Sequence, residues 1–79
     1  MFTVYILKSL KDNKRYIGFT NDLRRRLFEH NNGLVISTIN RKPFELIYTE
    51  EFENKKIAMA REKFFKSGKG REFLKSKNL

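Results

Sequence analysis

The run FTVYILKSLKDNKRYIGF, residues 2–19, decides the fold. Residues 2–8 are β-branched and aromatic, the composition of a strand. Residues 9–13, SLKDN, bring an Asp12-Asn13 pair whose side chains favour a turn. Residues 14–19, KRYIGF, are strand-like again, so the segment folds back on itself as a β-hairpin.

Working outward, a helix is expected from Asp22 to Asn31. Thr20, Asn21 and Asp22 all offer oxygens suited to its N-terminus. Leu23 and Leu27 give it an apolar face, and Asn31-Asn32-Gly33 ends it. Residues 34–42 read as a loop closed by Pro43, and residues 44–49, FELIYT, as a third strand. A second helix is expected over 55–66, capped by Asn54, with Ile57, Ala60, Phe64 and Phe65 facing inward and Ser67-Gly68 as its stop. A last short helix over 71–77 adds Phe73 and Leu74. The expected class is α+β: a three-stranded, largely antiparallel sheet flanked by helices, in the order β-β-α-β-α-α. Apolar residues fall on both parities of the strands (Val4, Ile6 and Leu7; Leu46 and Ile47), so the sheet should be covered on both faces.

Seventy-nine residues allow one domain, 1–79, with a small core. The chain has no cysteine, which excludes disulfides, thiolate metal sites and a thiol nucleophile and fits a reducing, cytoplasmic setting. No apolar run nears the ~20 residues of a membrane span, and the N-terminal residues lack the marks of a signal peptide. Eighteen Lys and Arg against nine Asp and Glu give a net charge of +9, which draws polyanions and makes nucleic acid the expected partner. The charge is polarised. Residues 44–54 hold four Glu and no basic residue, whereas residues 55–79 hold nine basic residues and two Glu.

Several residues could carry chemistry, each with an ordinary structural role beside the functional one. Tyr5 and Tyr16 lie one on each hairpin strand, where cross-strand packing is the usual reason for a tyrosine. Gly18, two residues beyond Tyr16, marks a close approach within a strand. Asp22, Arg26 and His30 form an i, i+4, i+8 row beside the Leu23/Leu27 face, as a solvated charge ladder also would. Arg24-Arg25-Arg26 opposes the helix dipole, so phosphate contact is a natural reason for it. Glu62 sits between Arg61 and Lys63. It can hold a hydrated cation or simply pair with Lys66 one turn on.

In order and spacing these features form one pattern. Tyr5-Ile6 is followed eleven residues on by Tyr16-Ile17-Gly18, then by Thr20-x-Asp22-Leu23-x-x-Arg26-Leu27 with His30 after it, and later by a helical Ala58-x-x-x-Glu62. The pattern resembles the GIY-YIG nuclease superfamily, especially small standalone bacterial members related to the N-terminal domain of the excinuclease C subunit. The first motif departs from the family's, reading Thr3-Val4-Tyr5, while the second is intact.

The resemblance implies a metal-dependent nuclease acting on nucleic acid, DNA in a repair or recombination context foremost. Tyr5 and Tyr16 would flank the scissile phosphate. Arg26 would be the catalytic arginine, His30 the histidine one turn later, and Glu62 the carboxylate holding Mg²⁺ or Mn²⁺. Either tyrosine could be the general base, with Tyr16 favoured. Arg24, Arg25, Lys63, Lys66, Lys69 and Arg71 are expected to track the phosphate backbone. The alternative is a non-catalytic nucleic-acid-binding module of the same fold.

Overall fold

The computed structural model covers residues 1–79 and forms the hairpin as expected. Strands β1 (Phe2–Ser9) and β2 (Arg15–Thr20) pair antiparallel, with Tyr5 opposite Gly18 and Leu7 opposite Tyr16. Ser9, fully buried, organises the turn. Its hydroxyl accepts from the N–H groups of Lys11 and Asp12 at 3.2 Å and donates to the Arg41 carbonyl at 2.5 Å. Arg41 closes the turn from outside, reaching the Asp12 carboxylate at 2.8 Å and the Lys14 and Arg15 carbonyls at 3.2 Å. That hydrogen bond from Arg41 is the main reason the Asp12 pKa falls to about 2.

Strand β3 (Phe44–Phe52) pairs antiparallel with the other side of β1, giving the order β2-β1-β3. The central strand is therefore buried on both faces. Val4 and Ile6 pack with Ala58, Phe65 and Leu74 beneath two helices, α2 (Lys55–Phe65) and α3 (Gly68–Ser76). Tyr5 and Leu7 pack with Phe44 on the opposite face, closed by Leu23 and Leu27 of α1 (Leu23–Asn31). Asp22 caps α1 by accepting from the Arg25 N–H at 3.1 Å, and Asn54 caps α2 by accepting from Lys56 at 2.8 Å. No helix is long and apolar enough to cross a membrane.

Three expectations need correction. The loop over 34–42 contains a short 3₁₀ helix, Ile36–Arg41. The last helix starts at Gly68, because Ser67 does not simply end α2. It also caps α3, accepting from the Gly70 N–H at 3.2 Å. The inward side of α2 is rotated from the expected one: Ala58 and Phe65 are buried, Ile57 is 56% exposed and Ala60 is exposed. Arg61 shares the inward side. Its guanidinium lies 4.6 Å from the Phe64 and Phe65 ring centroids and 5.0 Å from that of Phe73. It also donates to both Glu50 carboxylate oxygens, at 2.7 and 3.1 Å. A cation satisfied by a carboxylate and ring faces can occupy a side that polarity alone would assign to water.

Helix α3 crosses the end of α2 at Gly70. A Cβ there would sit 2.0 Å from the Phe64 carbonyl oxygen and 2.5 Å from Phe65 Cα, both backbone atoms with little freedom to move. Gly70→Ala is expected to lower unfolding stability in urea by at least about 1–3 kcal/mol. Gly68→Ala, whose Cβ meets nothing within 4 Å, serves as its control.

Candidate active site

The α1 face of the sheet gathers the aromatic and titratable groups. Tyr5 projects from the central strand and is only 2% exposed. Its ring passes over Gly18, where a Cβ would fall 2.5 Å from the Tyr5 hydroxyl. The close approach read from the sequence at Gly18 is thus the passage of this phenol. Beyond it, the hydroxyl meets His30 Nε2 at 2.9 Å.

His30 is fully buried at the end of α1, and its Nδ1 lies 2.8 Å from Thr38 Oγ1. The Thr38 hydroxyl also lies 3.4 Å from the Val35 carbonyl. Thr38 can donate to the Val35 carbonyl and accept from His30 Nδ1–H, and in that tautomer His30 Nε2 is the acceptor and Tyr5 the donor. The hydrogen bonds assigned this way run from Tyr5 to His30 to Thr38 to Val35, with histidine and tyrosine both neutral.

The electrostatics agree with that assignment. Burial pushes the Tyr5 phenol up to about 12, against the lowering pull of nearby Arg26 and with smaller upward pushes from Tyr16 and Glu62. Burial, joined by the positive charge of Arg26, lowers the His30 pKa despite the opposing Glu29. Both shifts disfavour an ionised Tyr5–His30 pair.

Tyr16 stacks beside this line of groups. Its ring centroid is 4.9 Å from that of His30, 6.4 Å from Tyr5 and 6.3 Å from Phe44. It is half-buried. Of the three tyrosines, Tyr5 and Tyr48 hold side-chain hydrogen bonds, to His30 and Glu50, and Tyr16 holds none. Arg26 comes from the middle of α1, pairs with Glu29 at 3.1 Å and leaves its side chain 37% exposed. Asp22, the first member of the sequence row, is spent on capping the helix.

Glu62 comes from α2, near enough for its charge to act on Tyr5. It makes the ordinary ion pair with Lys66, at 3.4 Å, and stays 21% exposed. No group of three or more His, Asp and Glu side chains converges anywhere in the structure. Among the site residues, Glu62 is the carboxylate that could offer a cation a hard oxygen donor group. That suits an ion such as Mg²⁺ or Mn²⁺, which keeps waters and takes substrate oxygens, and does not suit an all-protein cage.

A family model described as the GIY-YIG catalytic domain matches residues 1–78. The chain belongs to the GIY-YIG family. It is 48% identical over 64 residues to a UPF0213 protein of Clostridium perfringens, a match covering 80% of this chain and 68% of that one. A UPF0213 protein of Bacillus subtilis is 46% identical, with 78% of this chain and 63% of that one covered. The matches thus span roughly two-thirds of these relatives' length. The solution structure of a UPF0213 protein from Bacillus halodurans aligns with a TM-score of 0.58 and 39% identity, over 96% of this chain and 84% of that one. Within this GIY-YIG domain the tyrosine of the departed first motif, Tyr5, and that of the intact second, Tyr16, are brought side by side.

The basic residues separate in space. Lys66 and Arg71 line a cleft of 640 Å³ that opens beside Tyr16. Arg24, Arg25, Lys63 and Lys69 are exposed but do not line it. Lys8, Lys14 and Arg15 of the hairpin do, and the sequence reading missed them. The signal was present: residues 8–15 hold four basic residues and one acid. Thr38 was missed as well, since nothing in a segment read as loop marks it as the partner of a histidine.

The buried histidine has a pH consequence. The groups facing it are Tyr5, Thr38, the rings of Tyr16 and Phe44, and the charges of Arg26 and Glu29. Its folded pKa lies below its ordinary 6.5, so below pH 6.5 the unfolded chain binds the extra proton. Stability is expected to be full above that pH and to fall as pH drops from 6.5 toward 5. Urea titrations of wild type and His30→Gln across this window should show that slope flattened in the variant.

Proposed function

We propose that the protein is a metal-dependent endonuclease that hydrolyses phosphodiester bonds of nucleic acid, DNA in a repair or recombination context, with Tyr16 as the general base. The observation that carries this reading is the commitment of Tyr5. Its hydroxyl is buried, donates to His30 and holds its proton tightly, so it is a poor base and a good fixed dipole. Tyr16, beside it, keeps its Oη free for a water molecule. Membership of the GIY-YIG family supports nuclease chemistry in general.

Hydrolysis requires a water oxygen to bond to phosphorus while the bond from phosphorus to the leaving oxygen breaks. In the proposed reaction Tyr16 Oη takes the water's proton, and solvent returns one to the leaving oxygen. For this step Tyr16 acts as the phenolate, its own proton having passed to solvent beforehand. The Arg26 guanidinium faces the phosphate oxygens, where negative charge grows as the fifth bond forms. Its partner Glu29 keeps it extended from α1. His30 and Thr38 act behind Tyr5, fixing the angle of its ring and so the wall against which Tyr16 and the phosphate sit. Glu62 would hold Mg²⁺ or Mn²⁺ in place of Lys66, and the ion would supply Lewis acidity at the phosphate. A second reading, a binding module that does not cut, draws on the same Glu62–Lys66 ion pair, which uses the carboxylate without any metal.

Cleavage of supercoiled, branched, nicked and single-stranded DNA, with Mg²⁺ or Mn²⁺ against EDTA, separates the two readings. Tyr16→Phe is expected to slow cutting by roughly 10²–10⁴ with binding retained. Tyr5→Phe should cost less in rate and more in stability, because it orphans His30. Glu62→Gln should abolish metal-dependent cutting and bind DNA as well as wild type or better. Arg26→Ala should lose cutting with a smaller loss of affinity. Equal cutting by Glu62→Gln and wild type would refute the metal assignment. A wild type that cuts none of the substrates would favour the binding module.

A further inference from the structure

The cleft of 640 Å³ takes no part in the chemistry proposed above. Its floor is Ile17 of β2, Ile47 of β3 and Phe65 of α2, all members of the hydrophobic cluster beneath α2 and α3. Tyr5 and its partner His30 lie on the opposite face of the sheet. Neither of them lines the cleft, and nor do Arg26 and Glu62. Tyr16, whose ring packs on that opposite face, is the one residue of the proposed reaction site that borders it.

Around that floor the lining is basic. Lys8, Lys14, Arg15, Lys66 and Arg71 line the cleft, and no Asp or Glu does. Two of the five are engaged: Arg15 donates to the Leu79 carbonyl at 3.1 Å, and Lys66 pairs with Glu62 at 3.4 Å. Lys8, Lys14 and Arg71 enter no ion pair, and their mutual repulsion favours a ligand that brings negative charge. Inorganic phosphate would meet the cations and leave half-buried Ile17 and Ile47 wet. A neutral apolar molecule would cover the isoleucines and leave the cations uncompensated. A ligand that uses both joins a flat apolar body to more than one phosphoryl group. Asn13 adds a side-chain amide, a donor and an acceptor side by side, which matches the N6 and N7 edge of adenine. The volume falls within the ~300–1,000 Å³ of small-ligand sites.

We infer that this cleft is a second site, which binds a free nucleoside diphosphate with adenine as its base. The base lies on Ile17 and Ile47, Asn13 reads its edge, and the diphosphate sits among Lys8, Lys14 and Arg71. The inference does not rest on the nuclease reading, because no step of the proposed hydrolysis uses these residues.

The test is an NMR titration of the full chain, isotope-labelled at its isoleucine methyl groups, with ADP, adenosine and pyrophosphate in EDTA. ADP is expected to shift the Ile17 and Ile47 methyls saturably and to leave Ile36 and Ile39, which lie in the 3₁₀ segment outside the cleft, unmoved. It should bind about tenfold more tightly than pyrophosphate, which has no apolar body to cover the floor. Adenosine, which has no charge, should bind more weakly than ADP as well. The cleft variant is Lys14→Glu with Arg71→Glu. Both side chains are exposed and neither enters an ion pair, so the fold should tolerate the changes. This variant is expected to lose about tenfold or more in ADP affinity. Lys55→Glu with Lys56→Glu, the same charge change on exposed α2 positions outside the cleft, should bind ADP as wild type does. Pyrophosphate binding as tightly as ADP would overturn the proposal, since the floor would then contribute nothing. Equal losses in the two variants would overturn it too, reducing the cleft to general positive charge. GDP binding more tightly than ADP would overturn the choice of adenine. Oligothymidylate moving the same two methyls at lower concentration than ADP would assign the cleft to a polynucleotide strand instead. Because every arm reads binding alone, the result stands whether or not the chain cuts DNA.

Discussion

A tyrosine on the middle strand of a covered sheet must find a partner for its hydroxyl inside the protein, because water cannot reach it. That constraint organises this molecule. Leaving a buried hydroxyl unpaired would cost on the order of 1–3 kcal/mol, a large share of what so small a domain can muster. The partner is His30, 25 residues away in sequence. Bringing it there fixes the direction of α1, demands a glycine at position 18 and pulls the 3₁₀ segment in so that Thr38 can close the line of hydrogen bonds. Both hydrophobic clusters depend on β1, and this bond together with that of His30 to Thr38 links strand, helix and 3₁₀ segment. The groups that hold the α1 layer in place are the groups proposed to shape the reaction site.

Much of the fold was legible because its signals are local. Alternation and aromatic content marked the strands, Asp12-Asn13 the turn, and Asn54 the start of α2. The errors share a cause, in that each needed a contact from elsewhere in the chain. Arg61 reads as a solvent residue until Glu50 and three phenylalanines are placed around it. Ser67 reads as a stop until the helix after it is seen to start at once. Ile57 and Ala60 lost the inward side for the same reason.

The site was legible through the order of its residues more than through any one of them. Tyr5, Tyr16, Arg26 and His30 do meet, and Glu62 lies within electrostatic reach. Spacing alone left the two tyrosines equivalent, since each is a phenol on a hairpin strand. What separates them is burial and a hydrogen bond whose direction is assigned through Thr38 and the Val35 carbonyl, neither of which any motif marks. The basic residues show the opposite fault. The sequence singled out the runs in the helices, whereas the cleft draws three of its five cations from the hairpin, whose charge is diluted by Ser9, Leu10 and Asp12.

The acidic run along β3 carries one more consequence. β3 is an outer strand of the sheet, nine residues long, with a backbone edge that could recruit a second copy. Antiparallel self-pairing about the strand's midpoint, Tyr48, would set Glu45 of one copy directly opposite Glu51 of the other, at both ends of the new ladder. Like charges facing each other across adjacent strands repel and disfavour the register in which the edge could otherwise zip. The same glutamates that leave the rest of the chain so basic thus also guard it against sticking to itself, a device of solubility built into the one strand that most needs it.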